Sequence, residues 1–184
     1  MKQEELIRHI KENKLMLIAI DGRCGSGKST LAERISFALG AQVIHMDDFF
    51  LQVYQRTEKR YATPGENVDH ERFLAEVLRP LAAGRDASWH PFSHETMSLS
   101  KEVHKASAGV LTVVEGTYSL HPCLRSYYDL KVFSDVEPSE QMRRIERRNP
   151  ATAHLFKERW IPLEELYFDQ LEIRKIADIF IRND

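Results

Sequence analysis

Cysteine is nearly missing from this chain. Only Cys24 and Cys123 occur among 184 residues, and their wide separation argues against both a disulfide framework and a C-x-x-C metal or redox motif. A reducing cytoplasm is therefore the expected compartment. An excess of positive charge is also lacking: 26 Lys and Arg against 28 Asp and Glu leave a net charge of −2. Nothing suggests the broad basic face that holds nucleic acid. Long apolar runs are missing too, and none approaches the ~18 residues of a membrane span. The opening stretch, Met1 to Ile10, is too acidic and too intermittently apolar for a signal sequence. It reads as a short amphipathic helix within residues 1–14. There is no internal repeat and no low-complexity tract. With 42% hydrophobic residues the chain can bury one sizeable core, and residues 1–184 are expected to form a single domain.

What is present is more specific. Gly22-Arg23-Cys24-Gly25-Ser26-Gly27-Lys28-Ser29 fits G-x-x-x-x-G-K-[ST], a loop that turns its backbone N–H groups toward the phosphates of a nucleotide. Before it, Leu15 to Ile20 is an apolar run with the signature of a buried strand. After it, Ser29 to Leu39 is an amphipathic helix closed by Gly40. Gly22, Gly25 and Gly27 allow backbone angles that a Cβ obstructs, so successive N–H groups can converge on one anion at a helix N-terminus. The phosphate-binding set is then Gly22, Gly25, Ser26, Gly27, Lys28, Ser29 and Thr30. Lys28 reaches the β- and γ-phosphates and the Ser29 hydroxyl binds Mg²⁺. A plain flexible turn leaves the agreement of motif and flanking elements unexplained. The glycines run in the wrong order for a dinucleotide G-x-G-x-x-G loop.

Further strands are expected at Gln42–Met46, Val110–Val114, Leu130–Phe133 and Ala177–Ile181. Helices are expected at His70 to about Ala83, Glu137–Asn149 and Glu164–Lys175. Residues 52–69 read as a long loop. The stretch from Ala87 to Ala108, carrying Trp89, Phe92 and His94, reads as a substrate-facing loop with a short strand. Strands alternating with helices imply an α/β fold with a parallel sheet covered on both faces.

Ligands of such sheets gather beyond the carboxyl ends of the strands. Asp47 and Glu115 both end apolar strands. If the strands that carry them flank the first strand, their carboxylates converge near Ser29, making Ser29, Asp47 and Glu115 the candidate metal set. Asp47 is also the candidate base for an acceptor hydroxyl, with Lys28 as its catalytic partner. Asp48, next along an extended strand, is expected to point the other way. Arg143, Arg144, Arg147 and Arg148 form two i,i+4 pairs. They are either a solvated helix face or part of a mobile lid over residues 136–160, with Arg143 and Arg147 on the phosphates. Asp69 is either a helix N-cap or an acceptor ligand. Phe92 and His94 are candidate acceptor contacts, though such residues often simply pack. Cys24 is expected to have its thiol pKa lowered by Lys28 and the loop amides.

These residues resemble those of the uridine kinase-like P-loop kinases, a group that includes nucleoside, nicotinamide riboside and pantothenate kinases and phosphoribulokinase. The similarity runs over roughly residues 15–182. Met46-Asp47-Asp48-Phe49-Phe50 is similar to the family's acidic-aromatic segment, whose first aspartate is the base. Asn67-Val68-Asp69-His70 is similar to the segment whose aspartate contacts ribose hydroxyls. Val114-Glu115-Gly116 is similar to the strand end near magnesium, and the arginine helix to the lid. The resemblance implies a three-layer α/β fold with sheet order 2-3-1-4-5, ATP and Mg²⁺ as cofactors, and a small hydroxylated, nucleoside-like acceptor, foremost uridine or cytidine. The Asp-Asp-Phe-Phe form is closer to nicotinamide riboside kinases. The lid runs into Asn149-Pro150 where relatives carry a longer arginine-containing stretch. Neither nucleic acid nor membrane is expected as a partner, and a homo-oligomer is left open.

Two other classes fit the sequence less well. A GTPase-like switch needs a guanine-reading N-K-x-D, yet the Asn13-Lys14 pair precedes the first strand and continues into Leu15-Met16. A nucleotide-binding module without catalysis would have no need of intact Lys28, Ser29, Asp47 and Glu115.

Overall fold

The computed structural model describes residues 1–183. Its strands are β1 (Leu17–Gly22), β2 (Gln42–His45), β3 (Ala87–Trp89), β4 (Phe92–Ser93), β5 (Ser98–Leu99), β6 (His104–Ala106), β7 (Thr112–Glu115), β8 (Leu130–Asp135) and β9 (Ile179–Arg182). Its helices are α1 (Gln3–Glu12), α2 (Lys28–Leu39), α3 (Glu58–Ala62), α4 (His70–Phe73), α5 (Arg79–Ala82), α6 (Pro138–Arg148), α7 (Ala153–Leu155), α8 (Ile161–Gln170) and α9 (Ile173–Ile176). Five strands form one sheet in the order β2-β7-β1-β8-β9, with every pairing parallel. Setting aside the four short strands outside it, this is the 2-3-1-4-5 order expected from the resemblance.

The unbroken apolar reading of β1 and β7 follows from burial on both faces. Successive side chains leave the sheet on opposite sides. Ile18, Ile20, Val113, Val132 and Ile181 meet α1 (Leu6, Ile10) and α2 (Leu31, Ile35) on one face. Ala19, Val114 and Phe133 meet Phe49, Phe73, Trp89, Tyr167 and Phe168 on the other. Two prolines shape the second layer. Pro80 and Pro162 have no amide to continue an i→i−4 ladder, and immediately before each the helix widens into a π turn, Leu74–Leu78 and Phe156–Trp160.

The structure corrects several expectations. β2 does not flank β1, because β7 lies between them, pairing Ile18 with Val113 on one side and Val43 with Val113 on the other. The stretch from Ala87 to Ala108 is two small antiparallel ladders, β3 with β6 and β4 with β5, and Trp89 belongs to the core. Residues 52–69 hold a short 3₁₀ turn and α3. The last long helix starts at Ile161 and breaks at Glu172, whose φ of +51° ends one helix and begins the next. Among the described residues no helix is long and apolar enough to cross a membrane.

Candidate active site

Gly25 (φ +76°) and Gly27 (φ +88°) hold the left-handed angles that curl the segment between β1 and α2. The loop closes around its own ammonium: Lys28 Nζ donates to Gly22 O (2.8 Å), Arg23 O (2.9 Å) and Thr117 Oγ1 (3.3 Å). The first amides of α2 open beside it into a cleft of about 1180 Å³. Gly25, Gly27, Lys28, Ser29 and Thr30 line that cleft, together with Asp47 and Glu115. Gly22 and Ser26 do not line it. Gly22, at φ +136°, lies against Ser134 of β8 with no room for a Cβ. The Ser26 side chain is fully buried, and its carbonyl accepts from Ser134 Oγ (3.1 Å) and Asn183 Nδ2 (2.8 Å).

The strand ends meet as the sequence suggested, though by a different route. β2 pairs with β7, so His45 stands opposite Glu115. Glu115 Oε1 takes hydrogen bonds from Ser29 Oγ at 3.2 Å and His45 Nδ1 at 2.6 Å. The bond to Glu115 raises the His45 pKa. Asp47 sits one turn further, on the 3₁₀ turn Met46–Phe49, and is open to solvent in the cleft. The protein surrounding the cleft floor, and next the Glu115 carboxylate, push its pKa upward against the pull of Lys28. Ser29 Oγ and the Asp47 and Glu115 carboxylates are hard oxygen donors gathered on one wall, a set that suits Mg²⁺.

Asp48 is turned away, but the 3₁₀ turn and not strand alternation is the cause. Its Oδ2 accepts from Trp89 Nε1 (2.7 Å) and His104 Nδ1 (2.8 Å), tying the turn to the β3–β6 ladder. Asp69 is buried as the N-cap of α4. Its Oδ1 accepts from Arg72 N at 3.1 Å and its Oδ2 from Gln55 Nε2 at 2.8 Å, and it does not line the cleft. Phe92 is buried behind the wall. His94 lines the cleft edge-on to Phe50, with ring centroids 4.7 Å apart.

The arginine helix divides by its 3.6-residue period. Arg144, Arg147 and Arg148 face the cleft. Arg143 does not: it points outward in a two-pronged bond to Glu140 (2.6 and 2.7 Å). Arg144, one of the four arginines but not one of the two expected on the phosphates, is the inward one in place of Arg143: it donates to Gly25 O (3.1 Å) and Asn183 O (2.8 Å) and so braces the phosphate loop.

The sequence reading misses Glu164. It is buried on α8, and both its oxygens accept from Cys24 N, at 3.2 and 3.1 Å. Burial pushes its pKa up to about 7, against Lys28 and the Cys24 amide. No spacing rule separates it from the neighbouring Glu165 in the sequence. The same contact overturns the expectation for Cys24. Burial, then the Glu164 charge, raise its thiol pKa and outweigh Lys28 and Arg148. Thr117 and Tyr118 complete the wall after β7, two and three residues beyond the strand-ending glutamate.

Comparison with known proteins agrees with this geometry. A uridine kinase from Alkaliphilus metalliredigens is 30% identical over 146 residues, covering 73% of this chain and 69% of that protein. A tRNA dimethylallyltransferase from Citrifermentans bemidjiense is 25% identical over 151 residues. Those cover 78% of this chain, which spans about half (48%) of that longer relative. A structure described as a possible uridine kinase from Bacillus stearothermophilus superposes with a TM-score of 0.70 at 21% identity, covering 98% of this chain and 100% of the other. Residues 17–151, from the first strand to the end of the arginine helix, match the sequence pattern of one family. The chain belongs to that family, phosphoribulokinase / uridine kinase, and with it to the phosphotransferases that use a hydroxyl as acceptor.

Proposed function

We propose that the chain is an ATP- and Mg²⁺-dependent kinase that transfers the γ-phosphoryl group to a hydroxyl of a nucleoside, with uridine or cytidine as acceptor. The observation that carries the reading is Asp47. An exposed carboxylate with raised pKa shares a cleft wall with Lys28, Ser29 and Glu115, where an acceptor hydroxyl and a terminal phosphate would meet. A carboxylate of raised pKa is the better proton acceptor, and Asp47 is the residue that orients and deprotonates the hydroxyl.

The backbone amides of residues 25 to 30 and Lys28 bind the phosphates. Ser29, Asp47 and Glu115 would hold Mg²⁺, which supplies charge neutralisation along the phosphate chain. His45 and Ser29 fix the orientation of Glu115 through its Oε1. Arg147 and Arg148 face the cleft from the lid side, where they stabilise negative charge and keep water out. Phe50, His94, Phe156 and Trp160 give the cleft apolar and aromatic surfaces that suit a planar base. Asp69, held by Gln55 and Arg72, reaches a ribose hydroxyl only after Gln55 Nε2 yields its Oδ2.

Coupled ADP release with Mg²⁺ and uridine, cytidine, nicotinamide riboside, pantothenate or ribulose phosphate tests the proposal. ADP release that rises several-fold with uridine or cytidine is expected. A response to nicotinamide riboside alone would move the acceptor assignment. Slow ADP release indifferent to every acceptor would favour a nucleotide switch and end the kinase reading.

A further inference from the structure

One ionisable group in the cleft has no part in the reaction as described: Glu164. It comes from α8, directly continuous with the π turn Phe156–Trp160 whose Trp160 lines the cleft. Glu164 is 5% exposed, lines the cleft, and its carboxylate takes the amide hydrogen of the third residue of the phosphate loop. That amide belongs to the row of N–H groups that makes the loop an anion site. Glu164 is thus an internal anion bound to the loop built for an external one.

The groups around it leave little cationic compensation to spare. Lys28 Nζ is shared among two carbonyls and Thr117 Oγ1. Thr117 Oγ1 lies 3.4 Å from Glu164 Oε1. Gln141 Nε2, from α6, is neutral and 3.4 Å from Oε2. Glu165, adjacent on α8, is turned outward to Arg23 (2.8 Å) and Arg174 (3.0 Å). Asp21, buried at the end of β1, is held by Tyr167 Oη (2.7 Å) and the amides of Gly22, Tyr118 and Leu120. Arg148 donates to Asn149 Oδ1 (2.8 Å) and Cys24 Sγ (3.4 Å), and Tyr118 stays neutral because burial raises its pKa. A triphosphate entering the loop would bring further negative charge beside a carboxylate that cannot withdraw to water. Two anions at one site do not both remain ionised at little cost.

We propose that Glu164 takes up one proton when a nucleoside triphosphate enters the phosphate loop, so that nucleotide affinity falls as pH rises through neutrality. The proton comes from solvent and no other bond changes. The protonated acid still accepts the Cys24 amide with one oxygen and no longer opposes the charge of the incoming phosphates. Its pKa of about 7 in the free protein puts the uptake in an accessible range. Glu164 acts through the loop and is a positioning residue. The inference rests on the nucleotide reading above.

Titration calorimetry with MgATP, without acceptor and with Mg²⁺ saturating, between pH 6 and 8.5 in buffers of different ionisation enthalpy, tests it. The wild-type protein should absorb a fraction of a proton that approaches one above pH 7.5, with Kd rising about tenfold per pH unit there. Glu164→Gln keeps an acceptor for Cys24 but cannot ionise. It should absorb almost none, show a flat Kd and bind about thirtyfold tighter than wild type at pH 8.5, which is 1.5 pH units above about 7 at tenfold per unit. Equal pH dependence in the two proteins would overturn the proposal. If Glu164→Gln does not fold, the wild-type proton count decides alone, and no uptake above pH 7 overturns it. Absence of MgATP binding at every pH would instead strike the nucleotide reading, and this inference with it.

Discussion

Replacing Gly22 by alanine separates two jobs that one motif glycine does. In the sequence Gly22 is the first glycine of a phosphate loop, while in the structure it is the last residue of β1, paired with Ser134 of β8. An added Cβ would overlap Ser134 O and lie 2.8 Å from its carbonyl carbon. Both are backbone atoms, so no rotamer change relieves the clash and the two central strands must part. The φ of +136° adds a backbone penalty of ~1–3 kcal/mol for a residue with a side chain. Forcing an extra carbon into a packed interior adds ~1–3 kcal/mol more. Gly22→Ala is therefore expected to lose about 3–5 kcal/mol, a large share of the ~5–15 kcal/mol that holds a domain together. Gly40→Ala is the control. Gly40 caps α2 at φ +69° with nothing within 4 Å of its Cβ position, so only the left-handed penalty of ~1–2 kcal/mol applies. Urea denaturation followed by circular dichroism, with similar m-values for all three proteins, measures the difference. Gly22→Ala losing no more than Gly40→Ala would refute the claim that strand packing fixes this glycine.

Three further outcomes are expected. Asp47→Asn should reduce kcat by ~10²-fold or more, the scale of a lost general base, while still binding MgATP in a binding titration; unaltered turnover would remove Asp47 from its role. Arg143→Ala should leave kcat/KM within about twofold because its partner is Glu140 on the outer face, while Arg144→Ala, which frees Gly25 O and Asn183 O, should raise KM for ATP by about tenfold in steady-state kinetics. His121 has its pKa lowered to about 3, by burial first and then by the stacked His70. The unfolded chain binds that proton from pH 6.5 downward and the native state does not. The contribution is therefore complete above pH 6.5 and is lost toward pH 3, at up to ~1.4 kcal/mol per pH unit. Urea midpoints of wild type and His121→Gln between pH 7 and 4.5 should diverge by that slope, and parallel curves would refute it.

How much of this was legible beforehand follows from the range of each signal. The strand, glycine loop and helix around Gly22–Ser29 depend on local chemistry and stand in that order in the structure, while the sheet order, implied by the family resemblance, matches the observed one. The unbroken apolar run Val110–Val114 predicts a strand, and β7 lies within one or two residues of it. Periodicity could not say that β7 would stand between β1 and β2. That position is a property of the whole sheet, and it is what puts His45 opposite Glu115. The weak alternation around Ala87–Ala108 hid two ladders of two or three residues a strand, too short for any period to register. Their hold on the site runs through Asp48, which ties the Asp47 turn to Trp89 and His104.

The arginine helix shows the same limit at finer grain. Four arginines in six residues announce a function, but an i,i+4 rule accepts 143 with 147 as readily as 144 with 148. Rotation about the helix axis decides between them. That rotation is set by Ile145 and Gln141 packed inward and by the Arg144 bond to Gly25 O. Glu164 lay beyond reach for a stronger reason. An anion on an anion-binding loop contradicts the pattern a reader looks for, and only the fold, by placing α8 against the loop, makes Glu164 and not Glu165 the carboxylate that meets the Cys24 amide.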